Sequence, residues 1–337
     1  MGFLKAPAFQ RSFFAYFLLA LIPVISHVFL VVHFSVNIPI LDDYDTVLAY
    51  LNTPGSLRYQ TLFEQHNEHR VVWTRLVAEV FYDLFGQVDF RNLIYVGNLA
   101  FLLIFALLLK LFNLQKTPTI FFMPVPYLLF QPQAWENMTW ATGALQNYFV
   151  LLFALLAFCF WNRETWSGYF LAGSFSVMAA FTSANGLLVF FVLFFGEARS
   201  FIAEQMNNTA FVKRSFTVKR SHLLVVLIIL ILLICFVYFK NYRSVEQHPS
   251  VPRALLQPVQ IVQYILLLLG SCMGFTKPLA FLTGLVEVIF FYLCYLFWVL
   301  SKKPCHILFF IVHFSDCFYY RPRQSWVWYR ASLCSKI

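Results

Sequence analysis

The sequence predicts an all-α, polytopic transmembrane helical bundle, and three observations support this fold class. The chain of 337 residues is 61% hydrophobic and only 12% charged, whereas soluble domains carry roughly 25% charged residues. No alternating pattern typical of an outer-membrane barrel is present. Several apolar stretches approach the roughly 20 residues that a helix needs to cross a bilayer, so we expect about 8–10 spans. Examples are Phe13–Val36, Leu93–Phe112, Leu223–Phe239 and Leu279–Leu300.

The charges predict which ends of the helices face the cytoplasm. Lys5 and Arg11 precede the first apolar stretch, and a basic stretch lies between two later ones, with Arg199, Lys213, Arg214, Lys219 and Arg220. Basic residues favour the cytoplasmic side, so the amino terminus should be cytoplasmic and the first helix retained. The net charge of +9 does not indicate nucleic-acid binding, because no basic groove with interleaved aromatic residues is present.

Residues 37–92 are then predicted to form a large, acidic outer loop. They hold eight of the fifteen acidic residues and no lysine. Within the loop, apolar residues recur at helical spacing from Trp73 to Phe85, with Arg75 and Glu79 among the polar residues opposite them. We expect an amphipathic helix on the membrane surface, which Gly86 ends.

The strongest candidate site is the acidic pair Asp42 and Asp43, at the outer end of the first helix. Adjacent carboxylates repel one another and raise a pKa unless a cation, a metal or a substrate hydroxyl shares the charge. Such a pair suits a general base or a ligand of a divalent cation. The alternative is a helix end that acidic residues simply solvate.

A second candidate is the polar run Glu64–Arg70, which contains His66, Glu68 and His69. In a helix, His66 and His69 would share one face, with Arg70 one turn from His66. Arg70 could then bind a phosphate or a sugar. Zinc is disfavoured because the run lacks two histidines four residues apart with an adjacent glutamate. A hydrated helix start is the simpler alternative.

Two further polar segments are predicted to lie on the same outer side. The first offers Glu136, Asn137 and Trp140, and aromatic faces and amides bind sugars well; an interfacial aromatic belt is the alternative. The second, Thr182–Gly186, includes Asn185 and predicts a helix hairpin or a broken helix at the depth of a cavity. Close packing of small residues would also explain it.

These four features, in this order, resemble a group of bacterial multi-pass proteins that look like relatives of the GT-C glycosyltransferases. The resembling stretches lie in the first 200 residues. They read Asp42-Asp43-Tyr44, Gln65-His66-Asn67-Glu68-His69-Arg70, Trp135-Glu136-Asn137-Met138-Thr139-Trp140 and Ser183-Ala184-Asn185-Gly186-Leu187.

The resemblance implies a GT-C-like fold in the bacterial inner membrane and the transfer of a sugar from a polyprenyl-phosphate carrier to an outer-face acceptor. Asp42 or Asp43 would act as base or as metal ligand toward the acceptor, with a divalent cation as cofactor in the second case. The substrate-binding residues would be His66, Glu68, His69, Arg70, Glu136, Asn137, Trp140 and Asn185.

Two other functions remain open: a transporter or flippase for a lipid-linked glycan, and a non-catalytic membrane protein. Transporters usually bury ionisable residues near the bilayer midplane. Here acidic residues are concentrated in an outer loop, which favours the enzyme.

The carboxyl end departs from the pattern of the group that the chain resembles. Its members carry a Gly-Arg-x-Gly-Phe-Gly stretch, and codons can be chosen for Arg323–Ile337 so that the next reading frame encodes a similar run. We interpret residues 304–337 as an aberrant, frameshifted tail that follows the bundle of residues 1–303. The resemblance then implies that this copy transfers sugar poorly or not at all.

Overall fold

The computed structural model describes residues 6–114, 118–206, 220–243, 256–272 and 276–301. They belong to two units, Met1–Arg253 and Ala254–Ile337. The described residues are helical and contain no β-strand, which confirms the all-α class. The predicted tail at 304–337 lies outside the described residues, so its interpretation stays a prediction.

The longer helices of the first unit include those that the apolar stretches of the sequence predict. They are α1 (Ala6–Phe34), α2 (Gly55–Leu62), α3 (Val72–Phe85), α4 (Phe90–Leu114), α5 (Ala141–Trp161), α6 (Trp166–Ala180), α7 (Leu188–Met206) and α8 (Arg220–Phe239). Short helical turns lie between them at Tyr44–Ala49, Trp135–Thr139 and Ala184–Leu187. The second unit contains α9 (Pro258–Leu269) and α10 (Lys277–Ser301).

Four helices of the described residues are long and apolar enough to cross a membrane, which supports a membrane protein. They are Phe90–Leu114, Ala141–Trp161, Ala184–Ile202 and Arg220–Phe239. Helices α6 and α9 have 15 and 12 residues, fewer than the roughly 20 that a span requires. The described residues therefore supply fewer spans than the predicted number of about 8–10.

Helix α3 has the amphipathic pattern that the sequence predicts, and Gly86 ends it in a left-handed conformation with φ 69°. Two residues of its polar side, Arg75 and Glu79, form contacts within the protein, while Asp83 is exposed. Arg75 is buried and donates hydrogen bonds to three backbone carbonyls of residues 61–64, and Glu79 accepts one from Tyr50 at 2.6 Å. The exposed side is apolar, as a helix on a membrane surface requires, and includes Leu76, Val80 and Leu84.

Small residues bring the helices of the bundle together. A Cβ atom on Gly97 of α4 would overlap Ala144 of α5, and one on Gly186 would overlap the backbone of Ala179 at the end of α6. The predicted hairpin at Thr182–Gly186 is present, and glycine is required for its close packing. Packing of this kind is typical of helices in membranes.

The helices separate two polar ends of the first unit. At the end that we call the outer end, the start of α5 contacts Asp43, and Arg70 bonds to the end of α8. At the inner end, Glu164 lies beside Arg220. Glu164 comes three residues after the end of α5, and Arg220 is the first residue of α8. The loop 37–92 and the Glu136 segment therefore lie opposite Arg220, in the arrangement that the charges predict.

Arg220 is the centre of an ion-pair cluster at the inner end. Its Nη1 lies 2.6 Å from Oε1 of Glu197, its Nε 2.7 Å from Oε1 of Glu204, and its Nη2 3.9 Å from Oε1 of Glu164. Glu197 is only 3% exposed. This arginine of the predicted basic loop is therefore paired with acids, while Lys213, Arg214 and Lys219 lie outside the described residues.

Candidate functional site

The neighbouring acids Asp42 and Asp43 occupy different environments. Asp43 is 1% exposed. Its Oδ1 accepts from the backbone N–H and the hydroxyl of Thr142, at 2.9 and 2.6 Å, and its Oδ2 accepts from the N–H of Ile40 at 3.0 Å. Burial raises the pKa of Asp43, and these donors oppose the rise. Because both of its oxygens accept hydrogen bonds, this carboxylate holds the first loop against α5.

Asp42 has no such cage of donors. Its side chain is 37% exposed, and its Oδ2 lies 3.4 Å from Nε2 of His66, whose side chain is 12% exposed. Leu41, the residue before it, has a positive φ of 49°, a conformation that is uncommon outside glycine. The chain thus turns sharply between α1 and the acidic pair, which points one carboxylate inward and leaves the other accessible.

The run Glu64–Arg70 is not helical, so the expected helical face shared by His66 and His69 does not form. The two histidines instead form two hydrogen bonds between their backbones, with N to O distances of 2.8 and 2.9 Å. Asn67 between them takes a positive φ of 48°, which closes the turn. We call residues 64–70 the histidine turn.

Both histidines of the turn lie beside a carboxylate. His66 faces Asp42, and Nε2 of His69 lies 3.8 Å from Oε1 of Glu68. On its other side, Nδ1 of His69 accepts a hydrogen bond of 3.2 Å from the backbone N–H of Ala184. The histidine turn is therefore tied to the hairpin between α6 and α7.

The predicted segments are joined in a chain of contacts at the outer end. Gln146 of α5, one turn after Thr142, donates to the hydroxyl of Ser183 at 3.4 Å. Three of the four segments thus meet around the start of α5. The contacts run Asp42–His66, His66–His69, His69–Ala184, Ser183–Gln146 and Thr142–Asp43.

Arg70 points away from these pairs. Its three nitrogens donate to the backbone carbonyls of Phe63, of Tyr238 at 2.6 Å and of Lys240 at 2.6 Å. The last carbonyls of a helix have no partners within it, so the guanidinium caps α8. These three bonds use one N–H on each nitrogen of a guanidinium that has five, in a residue that is 8% exposed. Arg70 is thus committed mainly to the cap, and its binding of phosphate or sugar stays a prediction.

The cap brings two cations to the site that the sequence reasoning missed. Lys240 and Arg243 follow α8 and are exposed. The side chain of Gln65 holds the backbone of Arg243 from both sides, accepting from its N–H at 2.9 Å and donating to its carbonyl at 2.7 Å. The sequence did contain a signal for them. Lysine and arginine are usually enriched on the cytoplasmic side, so two of them at a helix end predicted to face outward are unusual.

The other predicted site residues are less closely connected. Glu136 and Asn185 are exposed, and Asn137 accepts from Asn147 at 2.8 Å. The indole N–H of Trp140 is buried without a hydrogen-bond partner in the described residues, yet it is close enough to Asp43 to lower the pKa of that acid. The sugar-binding role of this segment stays a prediction.

The resemblance allows a divalent cation beside Asp42 or Asp43, which would need several ligands there. Among the described residues, no three His, Cys, Asp or Glu side chains gather as a metal site. Asp42 and His66 alone are two donors, fewer than the ligand sets typical of protein-bound divalent cations. We therefore derive the chemistry below from the protein's own acid and base groups.

Comparison of the chain with protein-family models, with curated proteins and with solved structures found no match.

Proposed function

We propose that this chain is a GT-C-like membrane glycosyltransferase that moves a sugar from a polyprenyl-phosphate carrier to an acceptor hydroxyl. The observation that supports it most directly is the accessible carboxylate of Asp42, 3.4 Å from His66, at a bundle end with exposed cations. General-base catalysis needs an accessible carboxylate of this kind, positioned by a neighbour.

In the proposed reaction, Asp42 removes the proton of the acceptor hydroxyl. The acceptor oxygen then forms a bond to the anomeric carbon of the sugar. The bond between that carbon and the phosphate oxygen breaks, and its electron pair leaves with the lipid phosphate. His66 positions Asp42 through its Nε2, which lies 3.4 Å from Oδ2 of the carboxylate.

The departing phosphate gains negative charge, and cations that face it lower the barrier. We assign this role to the exposed side chains of Lys240 and Arg243, in place of Arg70. Their backbones are held by Arg70 and Gln65, so the two cations stay beside the histidine turn. The carrier lipid would lie against the apolar helices, as expected for a bacterial inner-membrane protein with a cytoplasmic amino terminus and an outer-face site.

Sugar release from a labelled carrier tests the assignment of the base. Because residues 304–337 are interpreted as a frameshifted tail, the chain would be purified into lipid nanodiscs with the alternative reading frame restored after Lys303. It would receive radiolabelled polyprenyl-phosphate glucose or mannose, with water or added alcohols as acceptor. We expect Asp42→Asn to lower release by about 10²–10⁴-fold, the usual scale for loss of a general base. Asp45→Asn is the matched control, since Asp45 is exposed and close in sequence.

Binding provides a readout that does not depend on the sugar. Farnesyl phosphate should bind more tightly than farnesol, and Lys240→Gln or Arg243→Gln should weaken only the former. Equal release by Asp42→Asn and Asp45→Asn would contradict the base assignment. Binding that depends on the phosphate, with no release of any sugar, would favour the transporter.

A further inference from the structure

The two histidines of the histidine turn differ in the partners of their rings. Both carry a carboxylate near Nε2, at 3.4 Å for His66 and 3.8 Å for His69. The difference lies in the remaining neighbours: His66 meets a side-chain amide, whereas His69 meets a backbone N–H. A backbone N–H is fixed as a donor, and a side-chain amide can present either an oxygen or a nitrogen.

This contact fixes the tautomer of His69. The N–H of Ala184 points at Nδ1 over 3.2 Å, so Nδ1 must offer its lone pair. A proton on Nδ1 would set two N–H groups against each other and leave both without an acceptor, which costs free energy at a partly buried site. The neutral ring therefore carries its proton on Nε2, on the side of Glu68.

His66 is not restricted in this way. Its Nε2 lies 3.4 Å from Oδ2 of Asp42 and 3.3 Å from the side-chain amide of Asn67. The amide can turn its oxygen toward an N–H or its nitrogen toward a lone pair, so both states of Nε2 find a partner. His66 can therefore adopt either neutral tautomer without losing its contacts in the turn.

We propose that His66 and His69 have separate roles at this site. His66 positions the carboxylate of Asp42, while His69 is held by Ala184 as a neutral ring that donates from Nε2 to an oxygen of a bound phosphate. The assignment of a phosphate rests on the proposed function, but the tautomer does not. The site would thus combine one histidine that can adopt either tautomer with one that is held in a single tautomer.

Nitrogen NMR of the full chain tests the tautomer without any activity assay. The eight histidines would be labelled with ¹⁵N in nanodiscs, and His66→Gln and His69→Gln would identify the two rings. We expect His69 at pH 7 to show an unprotonated Nδ1 and a protonated Nε2. A protonated Nδ1 on His69 would overturn the inference and leave the proposed function standing.

Ala184→Pro removes the N–H that holds the ring. Ser183 before it is extended, with φ −155° and ψ 151°, and Ala184 opens a short helical turn, so proline fits at this position. We expect the variant to lose the single tautomer, with Ala184→Ser, which keeps the N–H, as control. If His69→Gln fails to fold, His69 can still be assigned, because its ring is the one whose signals change in Ala184→Pro and not in Ala184→Ser. An unchanged tautomer in Ala184→Pro would contradict the role of Ala184.

Farnesyl phosphate tests the role of the donor. It should shift the Nε2 signal of His69, and farnesol should not. His69→Ala should weaken farnesyl phosphate binding about tenfold, the scale of one hydrogen bond to a charged group, and His69→Gln should restore part of it because its amide donates from a similar position. No shift of Nε2, with binding of farnesyl phosphate intact, would refute the proposed contact while the glycosyltransferase proposal survives.

Discussion

The outer and inner ends of the first unit hold their charges in different ways. At the inner end, Arg220 lies within 2.7 Å of carboxylate oxygens of both Glu197 and Glu204. At the outer end, the Asp42–His66 distance is 3.4 Å and the carboxylate is 37% exposed. Close, multiple pairing compensates buried charge and contributes to stability, whereas looser and accessible pairs leave groups free to exchange protons with a ligand.

Replacing Arg220 should give the largest loss of stability. Arg220→Gln leaves the buried carboxylate of Glu197 without its cation, which costs about 3 kcal/mol in the free energy of unfolding. A reversible denaturant titration in mixed micelles would measure it. Arg220→Lys should recover part of the loss, because one ammonium can pair with Glu197 but cannot replace the guanidinium fork. Full stability of Arg220→Gln would show that the inner cluster is not structural.

Replacing Asp43 should lower stability, whereas replacing Asp42 should leave stability almost unchanged. Asp43→Asn places an amide N–H against the N–H of Ile40 or the donors of Thr142, so unfolding should become easier by about 2 kcal/mol. The same titration, with Asp45→Asn as control, measures this. Asp42→Asn should leave the unfolding free energy within about 0.5 kcal/mol of the parent, as is usual for an accessible side chain. A stability loss at Asp42 as large as at Asp43 would remove the contrast between the two acids.

The smallest effect is expected within the inner cluster itself. Glu204 is 51% exposed in its side chain, against 3% for Glu197. Solvent screens the exposed pair, so Glu204→Gln should change the free energy of unfolding by less than about 1 kcal/mol. High salt should remove even this difference, because it screens exposed charges far more than buried ones. A loss comparable to that of Arg220→Gln would mean that exposure does not rank these pairs.

Hydropathy predicted the helices of the fold well. The predicted stretch Leu223–Phe239 lies within α8, Leu279–Leu300 lies within α10, and Gly86 ends α3 as expected. These features depend on residues that are close in sequence, such as an apolar run or a glycine with positive φ. The presence of polar groups at one end of the bundle was also predicted, because charge bias and span order determine it.

The different roles of the site residues could not be predicted from the sequence. Asp42 and Asp43 are adjacent and identical in type, and the bonds that bury Asp43 come mainly from Thr142, 99 residues away. The same applies to Arg70, which bonds to a carbonyl 168 residues away. Hydrogen bonds of such separation depend on the packed bundle, which no local pattern encodes.

The cap that Arg70 places on α8 also has a consequence for how the chain is made. The guanidinium emerges 168 residues before Tyr238, whose carbonyl it binds. At about 5–20 residues per second, translation takes roughly 10–30 s to supply that partner. During this interval the guanidinium of Arg70 lacks its partners on α8, so we expect the first loop to stay hydrated while later helices insert. The site is therefore completed late in biosynthesis, and a chain interrupted before α8 would carry Asp42 on a loop that has no final anchor.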